Sequence, residues 1–155
     1  MKKVSFIPVS VAETSHVTGL NMQGESGHFV YLEEDFDHRD TKQYEILSET
    51  GLVSAQGYVV INNIPVTEDG RPAFEERFLK RAGLVESEPG FQAIRILRPL
   101  KDDTYAIMTV WDNEESFKNW QTSNSYKNAH KNRGTSSALS TEVFPRPSFV
   151  TTYQL

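Results

Sequence analysis

The stretch FQAIRILRPLKDDTYAIMTVWD, residues 91–112, decides the fold of this chain. Two runs rich in β-branched and aromatic residues, 91–100 and 104–112, flank the short polar turn KDD, a pattern that predicts two paired antiparallel strands. Upstream, YVVINNIPV (58–66) has the same character, and downstream so does PSFVTTYQL (147–155). The sequence therefore predicts four strands in the second part of the chain.

Helical patterns separate these strands. In RPAFEERFLKRAG (71–83), Pro72 suits a first helical turn and Gly83 suits a C-terminal cap. Its apolar residues Phe74, Phe78 and Ala82 recur at i, i+4 and i+8, the spacing of one helix face. This segment therefore predicts a helix between the first and second strands.

Asp112 and Glu115 could form a capping box at the N-terminus of a second helix, ESFKNWQ (115–121). The polar run Thr122–Ser125 should break this helix, and YKNAHK (126–131) resumes a helical pattern. The resulting order over residues 58–155 is β-α-β-β-α-β, which predicts a ferredoxin-like α+β unit.

Residues 1–57 form a chemically different segment. They carry four basic and nine acidic residues, a net charge of −5, whereas residues 58–155 are neutral overall. KKVSFIPV, HVTGLNMQ and GHFVYLEE predict strands, and TKQYEILSETG (41–51) predicts a short helix that ends at Gly51. About sixty residues give only a marginal core. We therefore expect a β-rich extension that packs its strands against the 58–155 domain and completes its sheet.

Composition excludes several classes of protein. The chain contains no cysteine, which excludes disulfides, zinc–thiolate sites and iron–sulfur clusters. The net charge of −5 argues against nucleic acid as the main partner. The N-terminus has no apolar run long enough for a signal peptide or a transmembrane span. These features predict a soluble cytoplasmic protein without a membrane partner.

The stretch WQTSNSYKNAH, residues 120–130, uses one of two tryptophans and one of four histidines. In one unbroken helix ten residues rise about 15 Å, too far for both side chains to reach a small ligand. A break at TSNS would let Trp120 and His130 reach one cavity. Lys127, Lys131 and Arg133, near His130, could supply positive charge for an acidic ligand. In the absence of cysteine, the His130 imidazole is the natural ligand for a haem iron.

The tandem asparagines of INNIP raise a question of orientation, because adjacent strand residues point to opposite faces. Asn62 shares its face with Val60 and Ile64, which makes it the better candidate for a buried amide that a bound ligand could satisfy. Asn63 remains a competitor, since a shift of one residue in the register exchanges the two faces.

Together, VINNIPV, FEERFLKRAG, EPGFQAIRILRP, YAIMTVWDNEESFKNWQ and SYKNAHK resemble the haem-degrading branch of the antibiotic biosynthesis monooxygenase superfamily. That branch uses an Asn–Trp–His triad on a ferredoxin-like fold, and Asn62, Trp120 and His130 fall on its positions. The match covers about residues 58–155. The extension resembles that of the long, HmoB-type form of the branch.

The resemblance implies a role for each site residue. His130 is expected to ligate the iron, which makes it the metal-binding residue. Asn62 is expected to hydrogen-bond the dioxygen species at the iron, and Trp120 to press on the porphyrin and distort it. Phe78 falls on a pocket phenylalanine of the family. The implied activity is a haem oxygenase reaction in which haem is cofactor and substrate, dioxygen and an external electron donor such as a reductase take part, and iron is released.

The resemblance also bears on assembly. Relatives cover their open sheet edges by forming a dimeric α+β barrel, and residues 1–57 are too short to stand alone. We therefore expect the extension to imitate part of the missing partner, so that the chain works as a monomer with a pseudo-dimeric arrangement.

Other interpretations stay open at this point. The same scaffold could carry a non-catalytic haem-binding sensor, chaperone or signalling protein, because fold alone does not settle activity. It could also carry a cofactor-free quinol monooxygenase in which His130 is an acid–base group. Trp120 could simply be core packing. The acidic run at residues 33–40 could suggest a metal site, but such a run is more typical of a solvated loop.

Overall fold

The computed structural model describes residues 2–80, 85–123 and 143–155. Its strands are β1 (Lys3–Pro8), β2 (Leu20–Gly24), β3 (Gly27–Leu32), β4 (Lys42–Gly51), β5 (Tyr58–Pro65), β6 (Phe91–Pro99), β7 (Thr104–Trp111) and β8 (Phe149–Gln154). The helices of the described residues are α1 (Val9–Thr14), α2 (Arg71–Lys80) and α3 (Glu114–Gln121). Among these residues, no helix has both the length and the apolar character that crossing a bilayer requires.

The eight strands close into one antiparallel barrel in the order β1-β3-β2-β8-β5-β7-β6-β4. Strands β1 to β4 occupy one continuous arc of the barrel, and β5 to β8 occupy the other. The second arc has the predicted order β5-α2-β6-β7-α3-β8. This confirms the prediction of an α+β ferredoxin-like unit whose sheet is completed by the N-terminal strands. The division into two domains at residue 57 stays a prediction.

Apolar side chains from both arcs fill the barrel interior. Alternate residues of each strand point inward, as the period of two requires. The largest interior group comprises Val4, Phe6, Met22, Tyr31, Tyr44, Ile46, Val59, Ile61, Ala93, Leu97, Ala106, Met108, Val110 and Tyr153. The ring of Phe6 lies edge-on to Tyr31 at 5.4 Å and to Tyr44 at 5.5 Å. The two arcs therefore share one core rather than packing as separate bodies.

The predicted helix at residues 41–51 is wrong, because Lys42–Gly51 forms β4. This strand pairs with β1 on one side and β6 on the other, so it closes the barrel. Tyr44 and Ile46 face the interior. A register shift between Ile46 and Ser48 places Leu47 against the cluster beneath α2 instead. Burial at the seam between the two arcs outweighs the local helical spacing of these residues.

Helix boundaries differ from the sequence expectation at two points. The short helix α1 follows Pro8 directly and was not predicted. Helix α3 begins after Asn113, whose side-chain Oδ1 accepts a hydrogen bond from the Ser116 backbone N–H at 2.9 Å, so the predicted cap at Asp112 is displaced by one residue. Asp112 is held in the hairpin instead, because its N–H donates to the Gly90 carbonyl. As predicted, α3 ends just before the polar run, at Gln121.

A buried ionic cluster joins the two arcs inside the barrel. Arg95 of β6 is 2 % exposed, and its Nε donates to Glu33 at 2.9 Å. The rest of its guanidinium donates to backbone carbonyls, including those of Thr50 and Gly51 of β4. Tyr31 donates a hydrogen bond to the same Glu33 carboxylate. The acidic run after β3 thus begins with a carboxylate that anchors the extension to the second arc.

Candidate functional site

The alternation of β5 places Asn62 on the outer face of the barrel. Val59 and Ile61 belong to the interior core, whereas Val60 and Ile64 belong to two separate clusters beneath the helices. Asn62 lies between Val60 and Ile64 on the strand and therefore shares their outer face. Its carboxamide is half-buried and sits between two apolar clusters that the helices cover.

The first of these, which we call the α3 cluster, is built around Trp111 at the end of β7. Its buried members are Val60, Val85, Ile94 and Trp111, and Tyr58, Phe91, Phe117 and Trp120 pack against them. The ring centroids of Trp111 and Trp120 are 5.4 Å apart with 30° between their planes. Phe117 lies 6.1 Å from Trp120 and 5.9 Å from Trp111. Trp120 is thus held against the sheet by neighbouring rings.

The Trp111 indole is a structural residue. It is fully buried, and its Nε1 donates a hydrogen bond to the Thr109 hydroxyl at 2.9 Å. Its ring therefore forms a fixed base beneath Trp120, which is half-buried at the end of α3.

The second cluster, the α2 cluster, lies at the other end of β5. Phe74 is fully buried beneath α2, with its ring 4.5 Å from Phe78 and 4.6 Å from Tyr105. Ile64 and Val66 complete its buried part. Phe78 is half-buried, so one side of its ring stays accessible. This cluster provides a second aromatic wall on the face that carries Asn62.

Ion pairs fix α2 in place beside this wall. Arg98 of β6 donates two hydrogen bonds to the Glu75 carboxylate, at 2.6 and 2.9 Å, and Tyr105 donates a further one. The Arg98 guanidinium holds the pKa of Glu75 below its usual range, despite the opposing effect of burial. Burial and the Glu75 carboxylate raise the pKa of Tyr105, which stays neutral. These groups are engaged in structure and do not supply an acid–base pair.

Between the two clusters runs a band that crosses the strands in register. Asn62 pairs with Ile107 of β7 and with Val150 of β8, and Ile107 pairs with Ile96 of β6. Exposure falls along this band from 59 % at Val150 to 2 % at Ile96, with Asn62 and Ile107 between them. Across the described residues, the Asn62 carboxamide is in none of the side-chain hydrogen bonds.

The buried amide of the INNIP motif is Asn63, which corrects the expectation that Asn62 would be the buried one. Asn63 is 8 % exposed and points into the barrel. Its Nδ2 donates to the Thr151 hydroxyl at 3.0 Å and to the Phe149 and Ile61 carbonyls at 3.2 Å. Both faces of the sheet are covered at this point of β5, so burial alone does not distinguish the two asparagines. Asn63 is satisfied within the protein and ties β5 to β8.

The predicted site residues divide into two groups. Asn62, Phe78 and Trp120 lie on the same outer face of the sheet, on β5, α2 and α3. His130 lies outside the described residues, as do Lys127, Lys131 and Arg133. Sequence reasoning did not single out Ile107 or Val150, whose positions beside Asn62 depend on the strand register.

Sequence comparisons find a family and relatives for part of the chain. The profile of the family described as "Antibiotic biosynthesis monooxygenase" matches residues 57–132. A relative from Staphylococcus epidermidis named haem oxygenase (staphylobilin-producing) is 40% identical over 82 residues, which cover 51% of this chain and 78% of the relative. A Mycobacterium tuberculosis relative named haem oxygenase (mycobilin-producing) is 41% identical over 63 residues, 40% of this chain. The match spans 60% of that relative's length.

Solved structures extend the comparison to the whole chain. A structure described as a major regulator of staphylococcal pathogenesis matches with a TM-score of 0.78 and covers 99% of both chains, at 19% identity. At that identity the match supports the fold alone. A haem-degrader from Mycobacterium tuberculosis, solved with two haems bound in its active site, matches with a TM-score of 0.51 and 29% identity. It covers 63% of this chain and 94% of that chain.

Proposed function

Since the chain belongs to the antibiotic biosynthesis monooxygenase family, we propose that it is a haem-degrading monooxygenase. It would open the haem ring oxidatively with dioxygen and an external reductant and release the iron. The observation that carries this proposal is the 40% identity to a relative named haem oxygenase, over 82 residues that cover 78% of that relative.

The described part of the site fits a flat, largely apolar ligand. Ligand pockets are lined mainly by apolar and aromatic side chains with a few polar groups that fix orientation. Here the α3 and α2 clusters supply the aromatic walls, and Asn62 is a polar group within the apolar band between them. That composition suits a tetrapyrrole better than a small charged metabolite.

Each predicted residue would have a distinct task. Haem, when bound, would supply the iron at which dioxygen is reduced and the ring that is cleaved. His130 would ligate the iron through its imidazole. The Asn62 carboxamide would donate a hydrogen bond on the reacting side of the ring. Trp120, fixed by Trp111 at 5.4 Å, would press on the macrocycle, and Phe78 would line the opposite wall.

The same proposal covers partners and assembly. An electron-donating reductase would supply the electrons. The closed barrel contains in one chain the strands that a dimer of ferredoxin-like units would contribute, which supports a monomer with a pseudo-dimeric arrangement. Light scattering should give the mass of a single chain, 17.6 kDa. A stable homodimer would contradict this part of the proposal.

The activity is tested by mixing the purified protein with haemin, adding ascorbate in air, and following the Soret band together with the capture of released iron. We expect the Soret band to decay and iron to appear. His130→Ala should abolish tight ligation, whereas Asn62→Ala and Trp120→Ala should bind haemin but turn it over at least tenfold more slowly. Asn21→Ala, an exposed asparagine of β2 in the first arc, is the matched control.

The outcome separates the alternatives. A Soret band that persists under reductant would point to a haem-binding sensor or chaperone rather than an enzyme. Absence of any haem spectrum, with oxidation of a quinol, would point to a cofactor-free monooxygenase.

A further inference from the structure

We propose that Val150 of β8 contacts the ligand and, with Ile107, forms the apolar floor of the site on either side of Asn62. This inference rests on the proposed function, because it takes a tetrapyrrole as the ligand. It adds a strand to the site, since β8 begins far along the chain from the predicted residues Asn62, Phe78 and Trp120.

The strand register is the first argument. Val150 lies directly opposite Asn62 on β8, and Ile107 lies directly opposite Asn62 on β7. Side chains at directly opposed positions share one face of the sheet, with Cβ atoms about 5 Å apart. A flat ligand that lies on the Asn62 carboxamide and is wider than the strand spacing therefore also contacts the side chains of Val150 and Ile107.

The size of the band is the second argument. Val150, Asn62 and Ile107 lie on three adjacent strands, and neighbouring strands are about 4.8 Å apart, so their centres span about 10 Å. That width matches the flat face of a tetrapyrrole. The row continues to Ile96, which is only 2 % exposed and is therefore closed to a ligand. The floor thus ends at Ile107.

Exposure is the third argument. Val150 keeps 59 % of its surface exposed, although it faces the side of the sheet where other apolar residues, such as Val60 and Ile64, are buried. A single exposed valine is ordinary on a protein surface. This one is distinguished by its place beside a polar side chain that has no hydrogen bond among the described residues. A planar apolar ligand would cover Val150 and bring Asn62 within hydrogen-bonding reach.

The test measures binding rather than turnover. Haemin is titrated by its Soret band, and metal-free protoporphyrin IX by its fluorescence. The second probe has no iron and cannot be ligated by His130, so its affinity depends more strongly on the floor. Val150→Glu places a charge under the ring and should weaken both probes at least tenfold. Val150→Thr keeps the shape, adds a hydroxyl group, and should weaken both by a few-fold.

Leu52→Glu is the matched control, because Leu52 is 83 % exposed in the segment between β4 and β5 and the variant makes the same change in charge. It should bind both probes within twofold of the wild type. Circular dichroism confirms that each variant is folded, and Val150→Thr keeps the test valid if Val150→Glu does not fold.

The inference is overturned if the folded Val150 variants bind both probes with wild-type affinity. It is also overturned if they weaken haemin but not the metal-free ring, because Val150 would then act through the iron. If the wild type binds both probes but never degrades haemin, the proposed function is wrong, whereas the inference that Val150 and Ile107 contact the ligand still stands. If the wild type binds neither probe, both fail.

Discussion

The two arcs of the barrel have the same strand order but different covers. If the four strands of each arc are numbered along the chain, they lie side by side in the order fourth, first, third, second. This order is β4-β1-β3-β2 in the first arc and β8-β5-β7-β6 in the second. The second arc carries the helices α2 and α3 with their aromatic clusters. The first arc carries only α1 and the segment 33–41 among the described residues.

The helices and segments that pack on the outside of each arc determine how accessible its outer face is. On β1, Ser5 is fully buried, and its hydroxyl donates to the Glu34 carbonyl and accepts from the Phe36 N–H. On β5, the Asn62 carboxamide stays half-buried. A groove of about 440 Å³ does lie beside α1, but the described residues that line it include no Phe, Tyr or Trp. The comparison teaches that the strands build the barrel, while the helices supply the aromatic clusters on the outer face of the second arc.

The largest difference between the arcs is expected in the stability lost when one aromatic ring is deleted from the elements that pack on each of them. Phe74→Ala deletes a fully buried ring in contact with Phe78 and Tyr105, and should cost about 3–5 kcal/mol of the free energy of unfolding. Phe36→Ala removes a half-buried ring that covers the first arc, and should cost less than half as much. Urea denaturation measures both. Equal losses would mean that the two covers are energetically alike.

The buried ionic cluster that joins the arcs should contribute almost as much to the free energy of unfolding as the Phe74 ring. Arg95→Leu leaves the Glu33 carboxylate without its buried cation and removes hydrogen bonds to β4 carbonyls, so the free energy of unfolding should fall by about 3 kcal/mol. The control Lys80→Met removes an exposed pair with Glu76 and should have no measurable effect in the same urea experiment. A loss no larger than that of the control would show that strand pairing and apolar packing hold the arcs together without the ionic cluster.

A smaller loss of stability is expected when the Ser5 hydroxyl, which binds the segment 33–41 to β1, is removed. Ser5→Ala leaves the Phe36 N–H without its acceptor, and should cost about 1–2 kcal/mol. Faster amide exchange in the segment 33–41 should accompany the loss, because Ser5 holds that segment against β1. Ser54→Ala, which removes an exposed hydrogen bond to the Gln56 carbonyl, is the control. Unchanged exchange in the segment would argue that Phe36 packing alone holds it.

Much of the second arc could be predicted from sequence, because its strands β5, β6 and β7 are rich in β-branched residues and its helices show apolar spacing and nearby capping residues. The first arc was harder. In β4, Tyr44 and Leu47 have helical spacing, and the register shift at Leu47 breaks the alternation that marks a strand. Helix α1 is too short for a periodic pattern. The pairing of β4 with β1 and β6 is a tertiary interaction that no local pattern encodes.

The prediction of the candidate site was limited in the same way, by contacts that form only in the folded barrel. Alternation along β5 placed Asn62 with Val60 and Ile64. The stretch at residues 120–130 singled out Trp120, and the family resemblance added Phe78. Burial was the wrong criterion for choosing between the two asparagines, since Asn63 points into a barrel that exists only once both arcs are joined. Val150 could not be identified, because its position beside Asn62 depends on the register of β8 against β5.

The smallest effect should appear in the pH dependence of the link between the arcs. Burial alone would raise the pKa of Glu33, but hydrogen bonds from Tyr31, Arg95 and Lys2 outweigh it and hold that pKa below the usual 4.5. The folded protein therefore binds this proton less readily than the unfolded chain. The stabilisation is fully present above pH 4.5 and is lost as the pH falls through the lower folded value.

In urea titrations between pH 6 and pH 3, the stability advantage of the wild type over Glu33→Gln should therefore shrink by up to about 1 kcal/mol, since the carboxylate is partly solvated. The exposed control Glu13→Gln should run parallel to the wild type across the same range. If the Glu33→Gln and wild-type curves also stay parallel, the Glu33 carboxylate does not titrate with folding, and the link between the arcs rests on the hydrogen bonds from Arg95 to the β4 carbonyls.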